Sequence, residues 1–203
     1  MVLDLSDYLN NEHPWKGERK IIVFNGEDGK QKIQVRHRYG IDQMEMDGRP
    51  DGQKPFDKDS FFDYYIAQLK EYKNEHKMSD GFVLNADAFK NLEGEAILID
   101  YRTEILFELS RFNKVIRDAD HLISIVDLLY NHAEFVHERM FHENVRPVYV
   151  KLKYDSKSRL AEEKKEYSKA LKSLREGIFI VSNLSNSNSQ EFLVHKNVSI
   201  LCI

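Results

Sequence analysis

The 203-residue chain carries 30 Lys and Arg against 34 Asp and Glu, a formal net charge of −4, which excludes the overall cationic excess of a protein that coats a phosphate backbone. Its 41% hydrophobic and 11% aromatic content supplies the core of one domain or slightly more and excludes disorder along most of the chain. No apolar run reaches the roughly 18 residues that a membrane span needs. The opening "MVLDLSDYLNNEHPW" is acidic and lacks the basic, apolar, small-residue order of a secretory signal, and the single Cys202 has no intrachain disulfide partner. A cytoplasmic protein with no membrane partner is expected, and the two Asn-x-Ser sequons at Asn183 and Asn197 are then chance matches.

In chain order, "RKIIVF" (Arg19 to Phe24) and "QKIQVRHR" (Gln31 to Arg38) flank "NGEDGK", whose Asn-Gly and Asp-Gly pairs predict a hairpin. Ile33 and Val35 alternate with Gln34, Arg36 and Arg38, so the second strand has an apolar and a basic face, and a third short strand follows from Ile41 to Met46. The stretch "DGRPDG" (Asp47 to Gly52) packs turn formers together and reads as two consecutive turns leading into a helix. The first helix is capped by Asp59 or Ser60 and turns Phe62, Tyr65, Ile66, Leu69 and Tyr72 to one side, ending at Ser79-Asp80-Gly81. A second begins after Asn85 and runs to Ser110 with Ala88, Leu92, Ala96, Ile99, Leu106 and Leu109 inward. A third starts near Phe112 and extends as far as Phe141, and Pro147 separates it from helices at Val148 to Lys165 and Tyr167 to Ile180. "SNLSNSNSQ" reads as a polar linker before the apolar end "NVSILCI". The expected organisation is α+β and mainly α: a small N-terminal antiparallel hairpin sheet (1–56) packed on a helical domain (57–181), then the linker and tail (182–203).

Two stretches repeat each other. "RFNKVIRDADHLI" (Arg111 to Ile123) and "EYSKALKSLREGI" (Glu166 to Ile178), aligned on Phe112 and Tyr167, match Val115 with Ala170, Ile116 with Leu171, Ala119 with Leu174 and Leu122 with Gly177. Residues 96 to 180 thereby resemble a degenerate tetratricopeptide (TPR) array, although the spacing of 55 exceeds that family's 34. The order "QKIQVRHRYGIDQMEMDGRPDGQKPF", "DSFFDYY", "LFELSRFNKVIRDADHLISIVDLL" is further similar, over residues 16 to 178, to a group of bacterial proteins whose longer members end in a UVR motif. That helical hairpin mediates protein contacts in excision repair, and it has no counterpart here after Ile178.

The candidate chemistry is sparse. Asp47 and Asp51 flank a Gly-rich bend but lack the spacing and the distal Glu of a calcium loop. "HERMFH" is one residue too long for the zinc HExxH, and at about 100° per residue His137 and His142 diverge. Asp118-x-x-His121 and Glu134-x-x-His137 have the spacing of carboxylate-bridged sites in helix bundles, which would need Glu95 or Glu104 as well, so a helical metalloenzyme is one alternative. Lys151 to Arg175 holds nine Lys and Arg against four Asp and Glu, which with Arg36 and Arg38 leaves a nucleic-acid-associated factor as another.

No complete catalytic or metal motif is present, and a non-catalytic protein-interaction role without cofactor is the leading expectation. By the TPR resemblance, the inward positions of the first helices line a groove. They are Ile97, Asp100, Glu104, Phe107 and Glu108 in one unit and Leu152, Asp155, Arg159, Glu162 and Glu163 in the other. Mostly acidic with apolar anchors, this surface suits a protein or peptide segment carrying Lys or Arg.

Overall fold

The β-rich runs of the first fifty residues form three strands, β1 (Lys20–Asn25), β2 (Gln31–His37) and β3 (Gly40–Glu45), in an antiparallel sheet of order β1-β2-β3. The structure, a computed structural model, describes residues 4, 6–12, 16–17, 19–79, 81–137, 139 and 144–200, with 8, 12 and 185–200 described by backbone alone. Cys202 and His142 lie outside the described residues, as do the side chains of the expected apolar tail. The chain divides into two compact units, Met1–Tyr64 and Tyr65–Ile203.

In the first unit the register pairs Val23 with Ile33 and Ile33 with Met44, so alternation puts these side chains on one face. Ile33, Val35, Met44 and Met46 are buried. The hairpin loop closes through Gly26 N donating to Lys30 O (2.8 Å), and its positive φ falls on Gly29 (75°), so the Asp-Gly pair makes the turn and the Asn-Gly pair does not. Lys32 reaches across to Glu45 (2.6 Å). Arg36, expected on an open basic face, is buried, with its guanidinium donating to Gly40 O at 2.9 Å and Leu9 O at 3.5 Å. A buried guanidinium needs such acceptors, and backbone carbonyls supply them.

"DGRPDG" is a pair of turns. Glu45 N donates to Pro50 O (2.8 Å), Gly52 N donates to Arg49 O (3.0 Å), and Gly48 and Gly52 hold φ of 71° and 70°. Arg49 grips Asp51 with two parallel hydrogen bonds (2.8 and 3.0 Å), and its guanidinium lies over the Phe61 ring at 4.6 Å. Phe56, itself at φ 50°, stacks on Tyr64 with ring centroids 4.2 Å apart.

The long helices are α1 (Phe61–His76), α2 (Ala86–Glu108), α3 (Phe112–His132), α4 (Arg146–Glu163) and α5 (Tyr167–Ile200). Of the two expected caps for α1, Ser60 serves: its Oγ accepts from Asp63 N (2.9 Å) and donates to Asp63 Oδ2 (2.7 Å). Asn85 Oδ1 caps α2 by accepting from Ala88 N at 3.0 Å. In the second unit each helix packs on the next, α2 on α3, α3 on α4 and α4 on α5. Leu92, Ile99, Ile105, Leu106, Val115, Leu122, Ile125 and Leu129 form the fully enclosed part of that core.

The sequence repeat has a structural counterpart in its turns. After α2, Ser110 adopts φ 55°, Ser110 N donates to Phe107 O and Arg111 N to Leu106 O (3.0 and 2.8 Å). After α4, Lys165 adopts φ 60°, Lys165 N donates to Glu162 O and Glu166 N to Ala161 O (both 2.8 Å). Both are Schellman-type helix ends with a left-handed residue other than Gly, and every atom pair is offset by the same 55 positions as Phe112 and Tyr167.

Two helix lengths differ from expectation. α3 stops at His132, short of Phe141, because Ala133 leaves the helix to bridge Leu84, with Leu84 N donating to His132 O (2.7 Å) and Glu134 N to Leu84 O (3.0 Å). α5 continues through the Ser/Asn run expected to be a linker, since no Gly or Pro occurs between 178 and 203 to stop it and Ser and Asn are only moderately poor helix formers.

Candidate functional site

The expected α2 positions fall on one stripe of that helix. Ile97 (64% exposed), Asp100, Glu104 and Glu108 face solvent and Phe107 is half-buried, while neighbouring Leu106 is fully enclosed. Asp100 is exposed as a residue, yet its neighbours shield its carboxyl from water enough to push it above its usual range, and the nearby Glu104 carboxylate adds to it. Burial of Tyr149 on α4, together with the Asp100 charge, pushes its phenol up to about 12. These acids thus sit close enough to repel one another along the α2 edge.

The α4 positions are less uniform. Leu152 and Asp155 are half-buried, and Arg159, Glu162 and Glu163 are exposed. Arg159 joins the two expected stripes: its guanidinium lies 4.9 Å over Phe107 and 5.7 Å over Phe112, and its Nε donates to Asp155 Oδ1 at 3.2 Å. Phe107, expected to be an open anchor, therefore has a cation on one side and an edge-to-face contact with Phe112 (5.7 Å) on another.

A second feature lies along the α4–α5 edge. Pro147, Val148, Tyr154, Leu174, Ile178 and Val181 line a groove of about 580 Å3, with Lys151 and Asp155 in its wall. On α5 Leu174 and Ile178 line it, and they continue an exposed stripe that runs back through Leu171 to Tyr167, with Ile178 at 67%. The inward face of α5, in contrast, carries buried Ala170 and Gly177, and a side chain at 177 would strike the Tyr154 ring system. Small residues there bring the helices together, so the large apolar residues are left outside. The 4-3-4 spacing from Tyr167 to Ile178 is visible in the sequence, and the structure leaves those side chains exposed.

The other candidates are engaged elsewhere. The Asp118 carboxylate accepts from Arg102 Nε and Nη2 (2.8 and 2.9 Å) and from Arg117 Nε (2.8 Å), and His121 Nε2 lies 3.1 Å from Glu95 Oε1. Glu134 is exposed beyond the end of α3, and the His137 ring packs against Phe135. Among the described residues no three His, Cys, Asp or Glu side chains are grouped so as to hold a metal ion. In the basic stretch, Lys153 pairs with Asp120 (2.5 Å), Arg159 with Asp155, and Lys169 with Glu166 (2.8 Å), which breaks up the continuous positive surface the sequence suggested.

The chain is thus an α+β protein, mainly helical, with a three-stranded antiparallel sheet at its N-terminus. Compared with known protein families, curated proteins and solved structures, it matches none. Among the described residues no helix is long and apolar enough to cross a membrane.

Proposed function

We propose that this chain is a non-catalytic protein-binding adaptor whose TPR-like helical array receives a partner segment on its exposed edges. The observation that carries this is the groove between α4 and α5, with apolar side chains exposed on both walls, Val148 on one and Leu174 and Ile178 on the other. Contiguous exposed apolar surface of this kind marks a docking site more often than it is tolerated idle. The acidic α2 stripe with Arg159 and Asp155 of α4 forms a second edge, suited to a basic segment.

Affinity capture from the source cell, run in parallel with the native chain and with Ile178→Asp, tests the proposal. Ile178 is exposed, so the variant keeps its thermal melting midpoint. The expected result is a set of proteins captured by the native chain and lost with the variant. Identical captured sets would sink the proposal for this groove.

A further inference from the structure

The turns and helices repeat at 55 positions, so the face by which α3 receives α4 has an equivalent on α5. On α3, Asp120 pairs with Lys153 (2.5 Å) and Asp127 with Arg146 (2.6 Å) of α4, so the receiving face runs through Ile116, Asp120, Ile123 and Asp127. Moved by the repeat, it becomes Leu171, Arg175, Ile178 and Ser182 on α5. There Leu171 and Ile178 are exposed, and so are Arg175 and Ser182. The apolar positions are kept, but the position of the acid that α4 answers with lysine is now an arginine.

We infer that the α5 face binds an acidic amphipathic helix of a partner protein, seated as α4 is on α3, with carboxylates set against Arg175 and Lys151. The inference rests on the protein-binding reading above and adds the chemistry of the partner. A helix is the fitting shape because the internal contact being imitated is helix on helix, and Leu171 to Ser182 spans about 16 Å, three helical turns. The charge follows from what is already neutralised. Asp155 in the groove wall is held by Arg159 (3.2 Å), whereas neither Lys151 nor Arg175 has an ion-pair partner among the described residues. A second copy is the poorer occupant. Two-fold pairing of α5 would bring Arg175 of the two copies together, and another copy's α4 is already packed on its own α3 and α5.

The test is selection from a displayed library of helical peptides with apolar residues fixed at i, i+3 and i+7 and the other positions random, against the full chain. Bound peptides are expected to be enriched in Asp and Glu, to bind at least tenfold more weakly to Lys151→Glu/Arg175→Glu, and to be lost with Ile178→Asp. The charge-reversed chain should select Lys and Arg instead. Enrichment of basic or uncharged peptides that is still lost with Ile178→Asp would overturn the acidic partner while leaving the protein-binding groove standing. Enrichment insensitive to Ile178→Asp, or no enrichment, would remove both. A doubled mass by light scattering that Ile178→Asp returns to monomer would give the face to a second copy and overturn the inference.

Discussion

Asp118 sits at the α2–α3 interface in contact with two arginines, and replacing it exposes how the array is held together. The Arg102 and Asp118 side chains are 2% and 3% exposed and meet through two hydrogen bonds of 2.8 and 2.9 Å. In Asp118→Ala the guanidinium stays buried without the carboxylate that grips it, and breaking a buried pair from one side costs about 3–5 kcal/mol. That is a large share of the roughly 5–15 kcal/mol by which domains are stable. The reverse deletion, Arg102→Met, is milder. Asp118 keeps Arg117, whose Nη2 lies 2.8 Å away and whose side chain is 38% exposed, so about 1–3 kcal/mol is expected for the lost bonds. Replacing both with apolar residues of similar bulk, Arg102→Met with Asp118→Leu, should return most of the stability, because neither charge is then stranded. Urea unfolding followed by circular dichroism reads all three as shifts in midpoint at constant slope. The reasoning fails if Asp118→Ala costs less than about 1 kcal/mol, or if the double variant loses the sum of the two single ones.

Two further outcomes follow from the turns and from a half-buried imidazole. Gly48→Val and Gly52→Val should each lose about 1–3 kcal/mol, since both positions hold positive φ, while Gly48→Asn should lose little because Asn tolerates that region; equal losses for Asn and Val in urea titrations would mean that space, not backbone angle, is limiting. Burial lowers the His132 pKa, with Lys73 and Arg139 adding to the effect and a hydrogen bond to Phe82 O opposing it. The unfolded chain then takes up this proton first, so the His132 contribution to stability is full above the ordinary value of 6.5 and falls as pH drops toward the lowered folded value. The stability difference between native chain and His132→Gln should shrink between pH 7.5 and 5.5, and a difference flat in pH would contradict this.

Hairpin, helix starts and most of the core were legible because they depend on local signals. Asn85 and Ser60 announce caps, and Leu92, Ile99, Leu106, Val115 and Leu122 recur at helical spacing. What was not legible depends on what lies opposite. Glu95, Arg102 and Asp118 look like solvated face residues along their own helices, yet they are buried because each finds a polar partner across the α2–α3 contact, Arg102 and Asp118 in each other and Glu95 in the His121 ring nitrogen. The end of α3 could not be placed because Leu84, almost fifty residues away, stops it. In the expected groove, the register separating Leu106 from Phe107 was readable, but the guanidinium of Arg159 over Phe107 was not. The α4–α5 groove was missed for the same reason: periodicity says that Leu171, Leu174 and Ile178 share a face, and only the tertiary arrangement says that this face is exposed.

The order in which helices touch also sets how the second unit comes apart. Since α2, α3, α4 and α5 each rest chiefly on the neighbour next in sequence, the unit is a row, and the free energy of opening a helix depends on how many sides hold it. α3 is held from both sides and carries the fully enclosed Val115, Leu122, Ile125 and Leu129, whereas among the described residues α5 is held from one side, through Ala170 and Gly177. Amide protection against hydrogen exchange should therefore decline from α3 towards α5, with the last helix opening without the rest. Any ligand seated on α5 turns an end of the row into its middle, so its clearest signature is slowed exchange in α5 itself.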